Sequence, residues 1–208
     1  MSRDNILHRV RTALGRSAGQ GVSEVPPVRI RVPQMEMEAR IASMQTRLEA
    51  LAGTVVRSAD PRSVVAGAIS GKTAVASNAP YLAECGVTSL PGVRSGITDL
   101  AELRELCANC DFGITSADYA LADTGTLVML ASPREARLVS LLPPAHIAVV
   151  PRGRILTGLD ELFSLLPRPA EQTSSMVLIT GPSRTADIEQ ILVRGVHGPG
   201  QITVVIAE

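Results

Sequence analysis

Apolar residues recur at helical spacing over the first sixteen residues, where Ile6, Val10, Ala13 and Leu14 share one face and arginines fill much of the rest. Ser2 or Asp4 stands where it can cap the first turn. The pattern then stops. Between Ser17 and Gln34 the chain turns to Gly, Pro, Ser and Val, with Pro26-Pro27 and Pro33, which predicts a linker or an extended strap. The N-terminal helix is therefore an arm, free to pack on its own body or on a partner.

Beyond the linker, helical and strand-like patterns alternate. Residues 35–51 carry a helical stripe of Met37, Ile41, Met44, Leu48 and Leu51. Short β-rich runs follow at 54–57, 73–77, 112–115, 127–131, 147–150, 176–180 and 202–206. Helical segments at 61–70, 100–107, 160–166 and 186–194 separate several of them. This order predicts an α/β fold, a mostly parallel sheet flanked by helices. Two strand-like runs between Asp111 and Ala131 leave no room for a helix, so part of the sheet is expected to be antiparallel. Residues 1–34 then form the arm and linker, and residues 35–208 a single α/β domain. No internal repeat is seen.

Composition narrows the function. Of the 208 residues 45% are hydrophobic, enough for a sizeable core. Twenty basic residues balance twenty acidic ones, which argues against a nucleic-acid or anionic-membrane partner. Tyr81, Phe112, Tyr119 and Phe163 are the whole aromatic complement, too few for a base-stacking platform. The start of the chain lacks the charged-then-apolar order of a signal peptide. The longest apolar runs fall far short of the roughly 20 residues that span a bilayer, so no membrane span and a cytoplasmic location are expected. The basic residues are nineteen Arg and Lys72 alone. Arg is the better fork for carboxylate or phosphate, although genome base composition also raises Arg counts. Through Arg62 the chain carries ten bases and six acids, and the remainder ten and fourteen, which permits the arm end to dock on the body.

Several segments carry candidate chemistry. Residues 67–73 (G-A-I-S-G-K-T) miss the phosphate-loop spacing by one residue and lie between a helix and a strand, so they read as a helix end. Cys107-Ala-Asn-Cys110 is a lone C-x-x-C. Without further ligands it reads as structural or incidental, and Cys85 completes a set too small for a disulfide scaffold. Gly181, Pro182, Ser183, Arg184 and Thr185 follow an apolar strand and are expected to open the helix at 186–194. Free N–H groups there, with the hydroxyls and the Arg184 fork, make a candidate site for phosphate or carboxylate; simple capping is the alternative. Asp123, Thr124, Gly125 and Thr126 lie between two nearly apolar runs. Asp123 there is either a hairpin turn residue or a ligand contact, base or nucleophile at the rim of a buried sheet. His197 stands between glycines before the last strand, where backbone approaches a ligand easily and imidazole titrates near neutrality. His146 is ambiguous, and His8 reads as solvated.

Three of these segments, in order, resemble the lactate utilization protein C family, also described by its LUD domain: A-D-Y-A-L-A-D-T-G-T at 117–126, G-P-S-R-T-A-D-I-E at 181–189 and G-V-H-G-P at 195–199. The arm and L-L-P-P-A-H-I-A-V-V at 141–150 fit as well, so the resemblance covers nearly the whole chain. It implies a fold similar to the sugar-phosphate isomerase and CoA-transferase superfamily. It also implies a role in oxidising L-lactate to pyruvate with iron–sulfur partner proteins. Three cysteines without cluster spacing make no iron–sulfur site, so no metal or cofactor is expected in this chain and the clusters are expected on the partners. The site implied for a small anionic ligand collects Arg184 with residues 183–185 for the carboxylate, His197 for the hydroxyl or proton, and Asp123 as base or orienting group. Two alternatives are an independent acyl-CoA or sugar-phosphate enzyme of the same superfold and a non-catalytic assembly factor.

Overall fold

Strand-forming runs rich in Val and Ile become central strands when both faces are covered, and the runs at 147–150 and 202–206 do so here. A computed structural model describes residues 2–17, 19–20, 33, 35–186 and 192–208. The chain starts with α1 (Arg3–Ala13) and α2 (Met37–Ala50), then β1 (Thr54–Ser58), α3 (Pro61–Ala68), β2 (Ala74–Ala76) and α4 (Pro80–Glu84). It continues through β3 (Val93–Arg94), α5 (Leu100–Asn109), β4 (Phe112–Ser116), β5 (Tyr119–Leu121), β6 (Thr126–Leu130) and α6 (Arg137–Leu141). It closes with β7 (Ala145–Pro151), β8 (Ile155–Leu156), α7 (Leu159–Leu165), β9 (Met176–Ile179), β10 (Arg184–Ala186), β11 (Leu192–Arg194) and β12 (Gln201–Ala207).

Six strands form a parallel sheet in the order β1-β12-β7-β4-β2-β3. Side chains alternate across it. Ile147 and Val149 join Val65, Leu82 and Val205 beneath α3 and α4. Ala148 and Val150 face the other way, against Ile41, Met44 and Leu48 of α2 and against Ala120, Leu127 and Met129 of a second sheet. That sheet has the order β8-β5-β6-β9, with β5–β6 and β6–β9 antiparallel. The expected antiparallel portion thus exists, but in a separate layer. Its outer face is covered by α7 through Leu162.

Local chemistry explains the helix starts. Asp60 caps α3 by accepting from Ser63 N at 3.1 Å, with Pro61 preset for the first turn. Asp99 caps α5 through Glu102 N at 2.8 Å. Ser2 accepts from Asn5 N at 3.4 Å, so Ser2 and not Asp4 caps α1. No residue of α1 is buried, and its apolar stripe is uncovered, with Ile6 50% and Val10 48% exposed.

One expected element is different. In place of a helix at 186–194, β10 pairs antiparallel with β11, Arg184 opposite Arg194 and Thr185 opposite Val193. Residues 187–191, which include the Ile188 and Ile191 on which the helical periodicity depended, lie outside the described residues. Thr185 and Val193 are β-branched and suit an extended ladder. Two further bonds close the pairing, Ser183 N to Pro199 O at 2.8 Å and Gly195 N to Ser183 O at 3.0 Å.

Candidate functional site

In open parallel sheets, ligands bind beyond the carboxyl ends of the strands where successive connections diverge. Here the chain leaves β2 toward β3 on one side and leaves β4 toward β7 on the other, so that point lies between β2 and β4. A cleft of about 440 Å³ opens there, bounded by Tyr81, Ala117, Asp118, Arg134, Glu135 and Arg154.

Its buried group is Glu135, only 7% exposed. The loop that carries it folds on itself. Glu135 N donates to Ser132 Oγ at 3.0 Å, and Asn78 N donates to Arg134 O at 2.8 Å, which pins the loop over the end of β2. Ser77, 3% exposed, donates its hydroxyl to Glu135 Oε2 at 2.7 Å. Glu135 Oε1 is covered and, among the described residues, makes no hydrogen bond of good geometry, although the Ser116 N–H lies close enough to favour the ionised carboxyl slightly. Burial pushes the Glu135 carboxyl up to about 8, the Ser77 hydrogen bond opposes the rise, and the charge of Asp118 adds to it. Burial therefore favours the protonated form of Glu135 around neutral pH.

Asp118 follows β4 and accepts from Leu130 N at 2.7 Å. Burial raises its carboxyl too, against the Leu130 bond and the attraction of Arg154. The Arg154 guanidinium lies 5.3 Å from the centre of the Tyr119 ring, a cation–π contact that holds it at the mouth of the cleft. The site therefore joins two arginines, a buried carboxyl and an apolar lining that includes Ala79, Ala117 and Leu130.

The residues expected from sequence lie elsewhere. Asp123 is exposed, its N–H donates to Thr157 O at 3.0 Å, and its carboxylate covers Gly158, where any side chain would overlap it. Asp118 and Asp123 bracket β5, a strand on the order of 10 Å long, so Asp123 lies beyond the opposite end of that strand from the cleft. Thr126 Oγ1 bonds Thr124 Oγ1 and Thr180 Oγ1, both at 2.8 Å. Gly125 (φ 69°) and Gly181 (φ 81°) both abut the C-terminal end of α2. A Cβ on Gly125 would come 2.7 Å from Leu48 N, and one on Gly181 would come 2.9 Å from Leu51 Cβ.

Arg184 donates to the Leu51 carbonyl. The helix start expected to supply free N–H groups beside Ser183, Arg184 and Thr185 is a strand. His197 is exposed in the loop before β12, which is tied to the amino end of β7 by Gly200 N to Pro144 O at 2.9 Å. The structure thus brings together Gly125, Thr126, Gly181 and Arg184 around α2. Among the described residues no hydrogen bond or ion pair joins Asp123 to Arg184 or His197.

Sequence reasoning missed Ser77, Asp118, Glu135 and Arg154. The legible trace was a carboxylate two residues past a strand end, at Asp118. The Ser77–Glu135 pair joins positions 58 residues apart and follows only from topology. Cys107 and Cys110 pack with Val75, Leu103 and Val139, and burial raises both thiols, Cys107 to about 11. His146 is buried, bonds Thr115 Oγ1 at 2.8 Å and is driven down to about 4 by burial, so it is neutral. Among the described residues no three His, Cys, Asp or Glu side chains converge on a common metal position, and no helix is long and apolar enough to cross a membrane.

A parallel α/β domain with a second sheet on one face and a polar cleft at the β2/β4 divergence defines the class. The chain belongs to the LUD domain family, whose model matches residues 34–207. It is 35% identical over 147 residues to lactate utilization protein C of Halalkalibacterium halodurans, which covers 67% of this chain and 64% of the relative. It is 39% identical to lactate utilization protein C of Exiguobacterium sp., over 50% of this chain and 46% of that one. The matched stretches therefore span about half to two thirds of these relatives' lengths. The crystal structure of a DUF162 family protein from Deinococcus radiodurans shares the fold, with a TM-score of 0.65 and 17% identity over 83% of this chain and 99% of that chain.

Proposed function

We propose that this chain is the ligand-binding subunit of an L-lactate utilization system, in which L-lactate is oxidised to pyruvate and the electrons pass to iron–sulfur partner proteins. The ligand is a small carboxylate anion held in the cleft between the carboxyl ends of β2 and β4. One observation carries the reading: two arginines and a buried carboxyl line a cleft of about 440 Å³ at the divergence of the parallel strands. Arg134 and Arg154 supply forks for the carboxylate, the Ala79, Ala117 and Leu130 side suits a methyl group, and Glu135 with Asp118 faces the remaining oxygen. The relatives' name, lactate utilization protein C, supports a part in lactate utilization.

The Gly181–Arg184 turn is a weaker place for the anion, because Arg184 is already bonded to a backbone carbonyl and residues 184–186 form a strand in place of the expected helix start. The test is growth on L-lactate in a deletion strain complemented with variants. Arg154→Ala is expected to abolish growth on lactate and spare growth on glucose. Full growth with Arg154→Ala, together with loss of growth with Asp123→Ala or His197→Ala, would place the site at Asp123 or His197 instead.

A further inference from the structure

We propose that the β2/β4 cleft takes up its ligand, a small 2-oxo or 2-hydroxy carboxylate, together with a proton carried on Glu135, which donates that proton as a hydrogen bond to the ligand's α-oxygen. This rests on the small-acid reading above and deepens it by naming the residue that meets the acid's reactive oxygen.

An ionised carboxylate only accepts hydrogen bonds, and burying one with half its lone pairs unmet is costly. Glu135 comes close to that arrangement: Oε2 is occupied by the Ser77 hydroxyl, the Ser116 N–H favours the charged form only weakly, and Oε1 is covered with no well-formed hydrogen bond among the described residues. A proton on Oε1 removes the buried charge and makes that oxygen a donor. The last torsion of a Glu side chain is broad, so a modest rotation turns the O–H toward the cleft that Glu135 lines. A ligand oxygen then completes the bond that the protein leaves open.

The surrounding charges agree. Asp118 faces Glu135 from the end of β4, Tyr81 and Glu84 of α4 form the far wall, and Arg134 and Arg154 flank the opening. Behind Glu135, a second cavity of about 420 Å³ is lined by Arg137, Ser132 and Gln172. With Glu135 protonated, the arginines are free to attract an anion; with it ionised, a third carboxylate in this space repels the anion. Uptake is therefore proton-linked.

The experiment is calorimetric titration of the full chain with pyruvate from about pH 6 to about pH 9.5. Affinity is expected to be level at low pH and to fall toward tenfold per unit above a limb near pH 8. Glu135→Gln, a permanently neutral donor of similar shape, retains the neutral-pH affinity within about threefold and loses the fall. Ser77→Ala removes a bond that favours ionisation and moves the limb to higher pH. Asp118→Asn removes a charge that opposes ionisation and moves it lower. These opposite displacements decide the matter even if Glu135→Gln fails to fold. A level affinity throughout in the wild type, or a fall that persists unchanged in Glu135→Gln, overturns the proton assignment while the small-acid site stands. Absence of pyruvate binding at every pH overturns both.

Discussion

Ser77 Oγ donates a 2.7 Å hydrogen bond to Glu135 Oε2, and this contact joins the end of β2 to the loop ahead of α6 across 58 residues of chain. Among the described residues it is the side-chain hydrogen bond made to a carboxyl that is otherwise largely buried at the edge of the cleft. Its consequences are measurable in stability as well as in binding.

The Glu135 carboxyl has its proton affinity raised from 4.5 in the unfolded chain to about 8 in the fold. Between those values the native state holds a proton that the unfolded state has lost. Stability is therefore fully present below about pH 4.5 and declines as pH rises through the window up to about 8, by at most about 1.4 kcal/mol per unit from this group. Urea unfolding of wild type and Glu135→Gln across that window should show the decline in the wild type and a shallower slope in the variant. Parallel slopes would mean that Glu135 is ionised in the fold.

Gly125 adopts φ 69° and seats its Cα against α2, where a Cβ would stand 2.7 Å from Leu48 N and 3.1 Å from Arg47 Cβ. Gly125→Ala is expected to destabilise the protein by about 2 kcal/mol or more, from left-handed backbone and overpacking together. Gly153→Ala, at a position with open space and no positive φ, should stay within about 0.5 kcal/mol. Equal midpoints for the two variants in chemical denaturation would contradict this packing.

Arg40 fastens α2 to the β8–α7 turn. Its guanidinium donates to Met35 O at 2.9 Å, to Ile155 O at 3.1 Å and to Glu161 Oε1 at 3.0 Å, with both charged side chains about four-fifths buried. Glu161 also accepts from Thr157 N at 2.7 Å, so it stays fixed when its partner is removed. Arg40→Ala should cost about 2 kcal/mol, read from the unfolding midpoint, and more than the exposed pair-breaking Arg168→Ala.

The α2 stripe of Ile41, Met44 and Leu48 was legible because one face is buried and the period is strong. So was the parallel sheet, whose central strands are apolar on both faces. The segment at 184–194 was misread because β-branched residues and a helical apolar spacing compete there, and pairing with the other arm of the ladder is invisible in a linear pattern. At Asp123–Thr126 the turn was legible, while the reason for its glycine, contact with α2, was not. The cleft was least legible of all. Glu135 lies in a run of Pro, Arg and Glu that reads as surface, and only the fold brings Ser77 and Asp118 to it.

The placement of the ligand is tested most directly by thermal unfolding of wild type, Arg154→Ala and Arg184→Ala with and without millimolar pyruvate. Ligand that binds the native state raises its melting temperature, by an amount that grows with the logarithm of ligand concentration over Kd. Wild type and Arg184→Ala should both be stabilised by pyruvate, and Arg154→Ala should not. Stabilisation that survives in Arg154→Ala and vanishes in Arg184→Ala would contradict a site at the carboxyl ends of β2 and β4.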